Sequence, residues 1–154
     1  MSLGRGRALD IAGGWAGPPP PGDAEVLRNL LQAYATFTDA GAVDALAELF
    51  TDDAEWDGTS LGYGTAAGPA EIARHVAGHH RPDEPMAHLP GPPLLVARSE
   101  DQVEGLSWCL ATRISDGAMR PLIYFSYEDD FTRGSGVWRF RRRLLRATFP
   151  EAGS

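Results

Sequence analysis

The chain has 154 residues, enough for one domain whose core needs no disulfide staples, and its single cysteine, Cys109, excludes an intrachain bridge. Its formal net charge of −7 sets it against phosphate backbones, so nucleic acid is excluded as a general partner. All 14 basic residues are arginine, and with abundant Ala, Gly and Pro this points to a GC-rich bacterial source.

Residues 1–22 hold Gly-rich patches and the run Pro18-Pro19-Pro20-Pro21, and are predicted to form a mobile arm in which Trp15 docks on its own domain or a neighbour. Arg5 and Arg7 precede no apolar run, so the start does not read as a secretory signal, and no stretch reaches membrane-spanning length. The cytoplasm is the expected compartment, with no membrane partner. From Asp23, a plausible N-cap, the residues Val26, Leu27, Leu30, Leu31, Tyr34 and Phe37 recur at helical spacing to about Asp39. Asp44, Leu46, Leu49 and Phe50 mark a short second helix, and 54–57 a strand. Pro69 opens a third helix to about His79, with Ile72 and Val76 inward. A proline-rich passage around His88 follows, then strands over 94–97, 102–114, 119–132 and 137–149, with turns at Asp116-Gly117 and Gly134-Ser135-Gly136. Residues 150–154 are expected to fray. Helices first and an antiparallel meander after them predict an α+β domain over 23–149.

Several short motifs in this order resemble the SnoaL-like and scytalone dehydratase-like group of the nuclear transport factor 2-like proteins. They are Phe37-Thr38-Asp39 before Ala-Gly, Phe50-Thr51-Asp52-Asp53-Ala54-Glu55-Trp56, Gly68-Pro69-Ala70-Glu71-Ile72, and Tyr127-Glu128-Asp129-Asp130-Phe131-Thr132-Arg133 followed by Gly136-Val137-Trp138-Arg139-Phe140. His88 also stands seventeen residues before Gly105, a spacing the dehydratases show. The resemblance implies a cone-shaped α+β barrel, three N-terminal helices packed on a curved, mostly antiparallel sheet. It also implies a catalytic aspartate at Asp39 and a catalytic histidine at His88. The dehydratase's other polar groups are replaced: its tyrosines fall on Thr38 and Gly58, its second histidine on Arg113, its asparagine on Tyr127 and its serine on Phe125.

If Arg113 faces the cavity, strand alternation sends Ala111, Cys109, Ser107 and Gly105 the same way, with Ile123, Phe125, Tyr127 and Asp129 on the next strand. With Trp56 and Tyr34 these line an apolar, aromatic-walled pocket, the usual form of a small-molecule site. Leu106, Trp108, Leu110 and Ile114 take the outer face and predict a homo-oligomer, dimer or trimer. His88 is expected to act as general base or acid, with Asp39 orienting it or sharing its proton; Tyr127 or Arg113 would hold a developing enolate. Bland roles stand beside these: Asp39 as cap of the second helix, His88 as an edge-strand residue, Arg113 and Asp129 as an ion pair, Tyr34 and Tyr127 as core. His75 and His79, four apart, read as a solvated helix face and not as a metal site. Arg139, Arg141 and Arg143 are expected on one strand face, paired with acidic groups. The reading is an enzyme without cofactor or metal, a lyase, isomerase or cyclase for a ring-containing, polyketide-like or steroid-like compound. The alternative is a ligand-binding protein or accessory subunit of the same fold.

Overall fold

The computed structural model describes residues 17–148. Trp15 and the rest of 1–16, with Phe149 and the 150–154 tail, lie outside the described residues. The elements are α1 (Pro21–Ala40), α2 (Val43–Ala47), β1 (Phe50–Asp57), a 3-10 turn (Thr59–Leu61), β2 (Thr65–Ala67), α3 (Pro69–Ala77), β3 (Met86–Pro90), β4 (Leu94–Ser99), β5 (Gln102–Ser115), β6 (Ala118–Gly134) and β7 (Val137–Ala147). Three helices pack on a curved, mostly antiparallel seven-stranded sheet, the α+β cone that the sequence predicts.

Helix α1 buries a stripe of Leu27, Leu31, Tyr34, Ala35 and Thr38, the helical spacing read from the sequence. Its start differs from expectation. Pro20 holds the cap position and Pro21 the first turn. Asp23 caps nothing: its carboxylate accepts from Arg133 at 3.0 Å and from Trp138 Nε1 at 3.2 Å. The described end of the expected mobile arm is also engaged, since the Gly17 carbonyl accepts from the Ala97 N–H at 3.1 Å. Gly41, at φ 65°, closes α1 in a left-handed conformation that suits glycine. This sharp stop leaves Asp39 in the last turn of the helix.

The sheet runs β2-β1-β7-β6-β5-β3, with β4 on the other half of the same β5 edge. Only β1 and β7 run parallel. Strand β1 starts at Phe50, four residues before the expected strand, and 86–90 is a strand in its own right. Pro90 ends β3 at the sheet edge, where a missing N–H costs no ladder bond. Two bulges break the alternation. One lies between Ala111 and Thr112 in the β5–β6 ladder, where Leu122 is the extra residue. The other lies between Asp130 and Phe131 in the β6–β7 ladder, where Arg141 is extra. The second bulge overturns the expectation that Arg139, Arg141 and Arg143 share a face. Phe140 and Arg143 both point into the core, while Arg141 stays outside. The main core joins α1, α3 and the inner sheet face through Leu27, Tyr34, Ile72, Phe131 and Phe140. Among the described residues no helix is long and apolar enough to cross a membrane.

Candidate active site

Asp39 grips His88 with both carboxylate oxygens. Oδ1 lies 2.6 Å from the imidazole Nδ1, and Oδ2 accepts from the His88 backbone N–H at 2.9 Å. The last turn of α1 supplies the carboxylate and the edge strand β3 supplies the histidine. Asp39 caps neither helix: the cap of α2 is Ala42. A carboxylate facing Nδ1 fixes the hydrogen there, so Nε2 is left as the basic nitrogen. Both groups are partly buried, the His88 side chain 11% exposed and Asp39 26%.

His88 lines a pocket between α1, α3 and the inner faces of β3, β5, β6 and β7; Asp39 stands behind it. Its register partner on β5 is Ala111, whose small side chain leaves space before the imidazole. Phe125, Tyr127, Tyr34 and Trp56 form aromatic walls, and Val76, Ile123 and Leu145 add aliphatic ones. The pocket is narrow, about 50 Å³, and Tyr63 and Leu122 in its lining are exposed. No carboxylate or arginine is among its lining residues.

The Trp56 indole donates to the Tyr34 hydroxyl at 3.0 Å, leaving that hydroxyl's own hydrogen free. Burial pushes the Tyr34 phenol up to about 12 against the pull of Arg143, and pushes Tyr127 well above its ordinary value. Both therefore remain protonated; the Tyr34 hydrogen is free, while the Tyr127 hydroxyl donates to Cys109. Gly58, where the resemblance would place a carbonyl-polarising tyrosine, has no room for a side chain. A Cβ there would stand 2.5 Å from the Trp56 ring and 3.0 Å from Tyr63. Trp56 and its bond to Tyr34 occupy that corner instead.

Two expected pocket residues lie elsewhere. Arg113 sits beyond the pocket, bonded to Glu84 at 3.1 Å and against Met86 Sδ at 3.9 Å. Asp129 is buried beneath the floor, its Oδ1 3.1 Å from Arg143 Nε. They do not pair with each other: Asp129 is registered with Gly105, eight positions along β5 from Arg113, or about 26 Å at strand rise. Burial lifts the Asp129 carboxyl to about 7, with Arg143 opposing. Arg143 is itself buried, with its guanidinium carbon 3.4 Å from the Tyr127 ring centre and 4.1 Å from that of Tyr34.

The sequence reading names Thr38 only as the position of a dehydratase tyrosine and sends His79 to solvent, yet both line the pocket. Helix α3 ends at Ala77, two residues short of the predicted end, so His79 leaves the helix face assigned to it and turns inward. His75 stays close, its ring centre 5.8 Å from that of His79, but its Nε2 lies 2.7 Å from the Tyr63 carbonyl oxygen. Among the described residues no three His, Cys, Asp or Glu side chains are placed to hold a metal ion.

The profile of a family described as SnoaL-like domain matches residues 23–144. No curated protein matches the chain. Similar solved structures include an NTF2-like protein with a cystatin-like fold from Novosphingobium aromaticivorans, at 24% identity and TM-score 0.72 over 98% of this chain and 88% of that one. Hexachlorocyclohexane dehydrochlorinase LinA-type3 from Novosphingobium barchaimii is similar at 25% identity and TM-score 0.69, over 86% and 92%. A candidate scytalone dehydratase from N. aromaticivorans is similar at 22% identity and TM-score 0.69, over 82% and 85%.

Proposed function

This chain belongs to the SnoaL-like domain family, and from that premise we propose that it is a small-molecule lyase or isomerase in which His88 moves a proton. The observation that carries this reading is the two-oxygen grip of Asp39 on His88, a histidine that lines an apolar pocket. His88 Nε2 takes a proton from a carbon beside a carbonyl or another electron-withdrawing group. Asp39 holds the tautomer and stabilises the imidazolium that results. The electron pair left on carbon moves into a new double bond, and a leaving group departs or the proton returns elsewhere. The Tyr34 hydroxyl donates to the developing oxyanion, and Tyr127 can do so by leaving Cys109. Such chemistry needs an acid, a base and a dry wall, so neither metal nor redox cofactor enters it.

The apolar, aromatic lining suits a neutral ring compound, and polyketide-like and steroid-like ketones belong to that class. A ring needs more than about 50 Å³, so binding displaces Met86, Leu122 or Tyr63 outward. Two of the similar structures bear the names of elimination enzymes, a dehydrochlorinase and a candidate dehydratase, which supports the reaction class. The cytoplasm remains our expected compartment.

The test is exchange of α-protons for deuterium on a panel of cyclic ketones, followed by NMR, with elimination from their β-hydroxy and β-halo derivatives read by ultraviolet absorbance. Replacing the base should cost about 10²–10⁴-fold in rate for His88→Ala, and Asp39→Asn should fall between that and the wild type. Wild-type rates in both variants, with circular dichroism unchanged, would remove the mechanism. A second reading, a binding protein without turnover, is favoured by the narrow cavity and by the missing side chain at Gly58. It predicts saturable binding of the same ketones with no exchange above the uncatalysed rate.

A further inference from the structure

We propose that His79 and Thr38 form a second polar subsite of the pocket, which binds a neutral hydroxyl on the ring ligand away from the carbon that His88 deprotonates. The inference rests on the pocket being the ligand site, as proposed above, and adds which substituent the ligand carries.

His79 Nε2 and Thr38 Oγ1 are buried polar atoms without a hydrogen-bond partner among the described residues. Each line the same pocket as His88. An unpaired buried polar atom is costly, so two among the residues lining one pocket mark a place where something else completes the bonding. Of the neighbouring polar groups, His75 Nε2 meets the Tyr63 carbonyl, and Tyr34 accepts from Trp56 while keeping its own hydrogen for the oxyanion. The His79 ring is held in place from two sides, 4.8 Å from the ring of Tyr63 and 5.8 Å from that of His75, centre to centre.

The chemistry selects the group. Burial lowers the His79 pKa from its ordinary value, and the nearby His75 and Arg81 lower it further, so the ring is neutral at neutral pH. A neutral imidazole offers one donor and one acceptor, and a threonine hydroxyl offers both. A hydroxyl also gives and takes a hydrogen bond, and so satisfies the pair together. With no arginine on the wall and a neutral histidine, a carboxylate would be buried uncompensated.

Phenol, toluene and benzoate test this, titrated into the full chain by NMR, with the histidine imidazole nitrogens observed directly. The wild type should bind phenol about tenfold more tightly than toluene, the worth of one or two uncharged hydrogen bonds, and should reject benzoate. The His79 nitrogen resonances should move with phenol and stay with toluene. In His79→Phe the phenol preference should fall to about twofold or less with toluene still bound, and His79→Gln, which restores a polar amide, should recover part of it. Equal affinity for phenol and toluene in the wild type, or a preference untouched by His79→Phe, would overturn the subsite and leave the pocket standing. If none of the three binds, the pocket reading fails and the subsite with it. Because binding is read in place of turnover, an inactive protein that still prefers phenol supports the subsite while counting against the catalytic role of His88.

Discussion

Arg143 brings a permanent charge into the core, and everything it touches responds. Its guanidinium lies over Tyr127, Tyr34 and Phe140, and among the described residues its anionic partner is Asp129. Cation–π contact and the ion pair both offset the lost hydration. For Asp129 the balance tips toward the protonated form, at about 7. The unfolded chain releases that proton near pH 4. Between about pH 4 and 7 the folded state therefore holds a proton that the unfolded state lacks, so this group's contribution to stability falls as pH rises through that window and is level above it. Urea denaturation of the wild type and Asp129→Asn at pH 5 and pH 8 checks the sign. The wild type should lose stability relative to the variant on going to pH 8, and no relative change would show that Arg143 keeps Asp129 ionised throughout.

At the level of elements, Gly105 shows how tightly the inner sheet face is filled. An added Cβ would stand 2.9 Å from Phe131 Cε2 and 3.4 Å from Leu95 Cδ2, and the Phe131 ring is itself packed on Phe140 at 5.1 Å. Gly105→Ala should therefore destabilise by about 1–3 kcal/mol, read as a lower denaturation midpoint with the slope unchanged. The glycine was visible in the sequence, but its reason is a ring from the neighbouring strand. The same division runs through the molecule. Helix α1, the late meander and the Asp116-Gly117 turn, with φ 52° and 73°, follow from local spacing and turn chemistry. Asp39 and His88 were legible through motif order. Arg143 and Leu122 were not, because strand alternation holds only until a bulge, and a bulge is set by the partner strand. His79 escaped for a related reason: two residues at the end of α3 decide whether it faces solvent or the pocket.

For the whole molecule, the outer sheet face poses the remaining question. An antiparallel sheet with one face on the core normally turns polar residues outward. Here Leu89, Leu110 and Tyr124 stand in one cross-strand row, and Ile114 and Met119 in another. Leu89, Met119, Tyr124 and Ile114 are exposed, and Trp108 stacks on Tyr124 with ring centres 5.6 Å apart. Leu106, expected in the same uncovered set, is buried with Val96 and needs no further cover. The charges at the margin pair with each other, Arg98 with Glu104 and Arg146 with Glu128. An exposed apolar face of this kind calls for cover, and a two-fold pair is the simplest closed assembly that buries it. We therefore expect sedimentation equilibrium at micromolar concentration to give twice the mass of one chain. Leu89→Glu with Tyr124→Glu should shift the protein to single chains while its circular dichroism and its binding of phenol stay unchanged, since neither side chain lines the pocket. A single-chain mass for the wild type would mean that this face is left to solvent or to another partner.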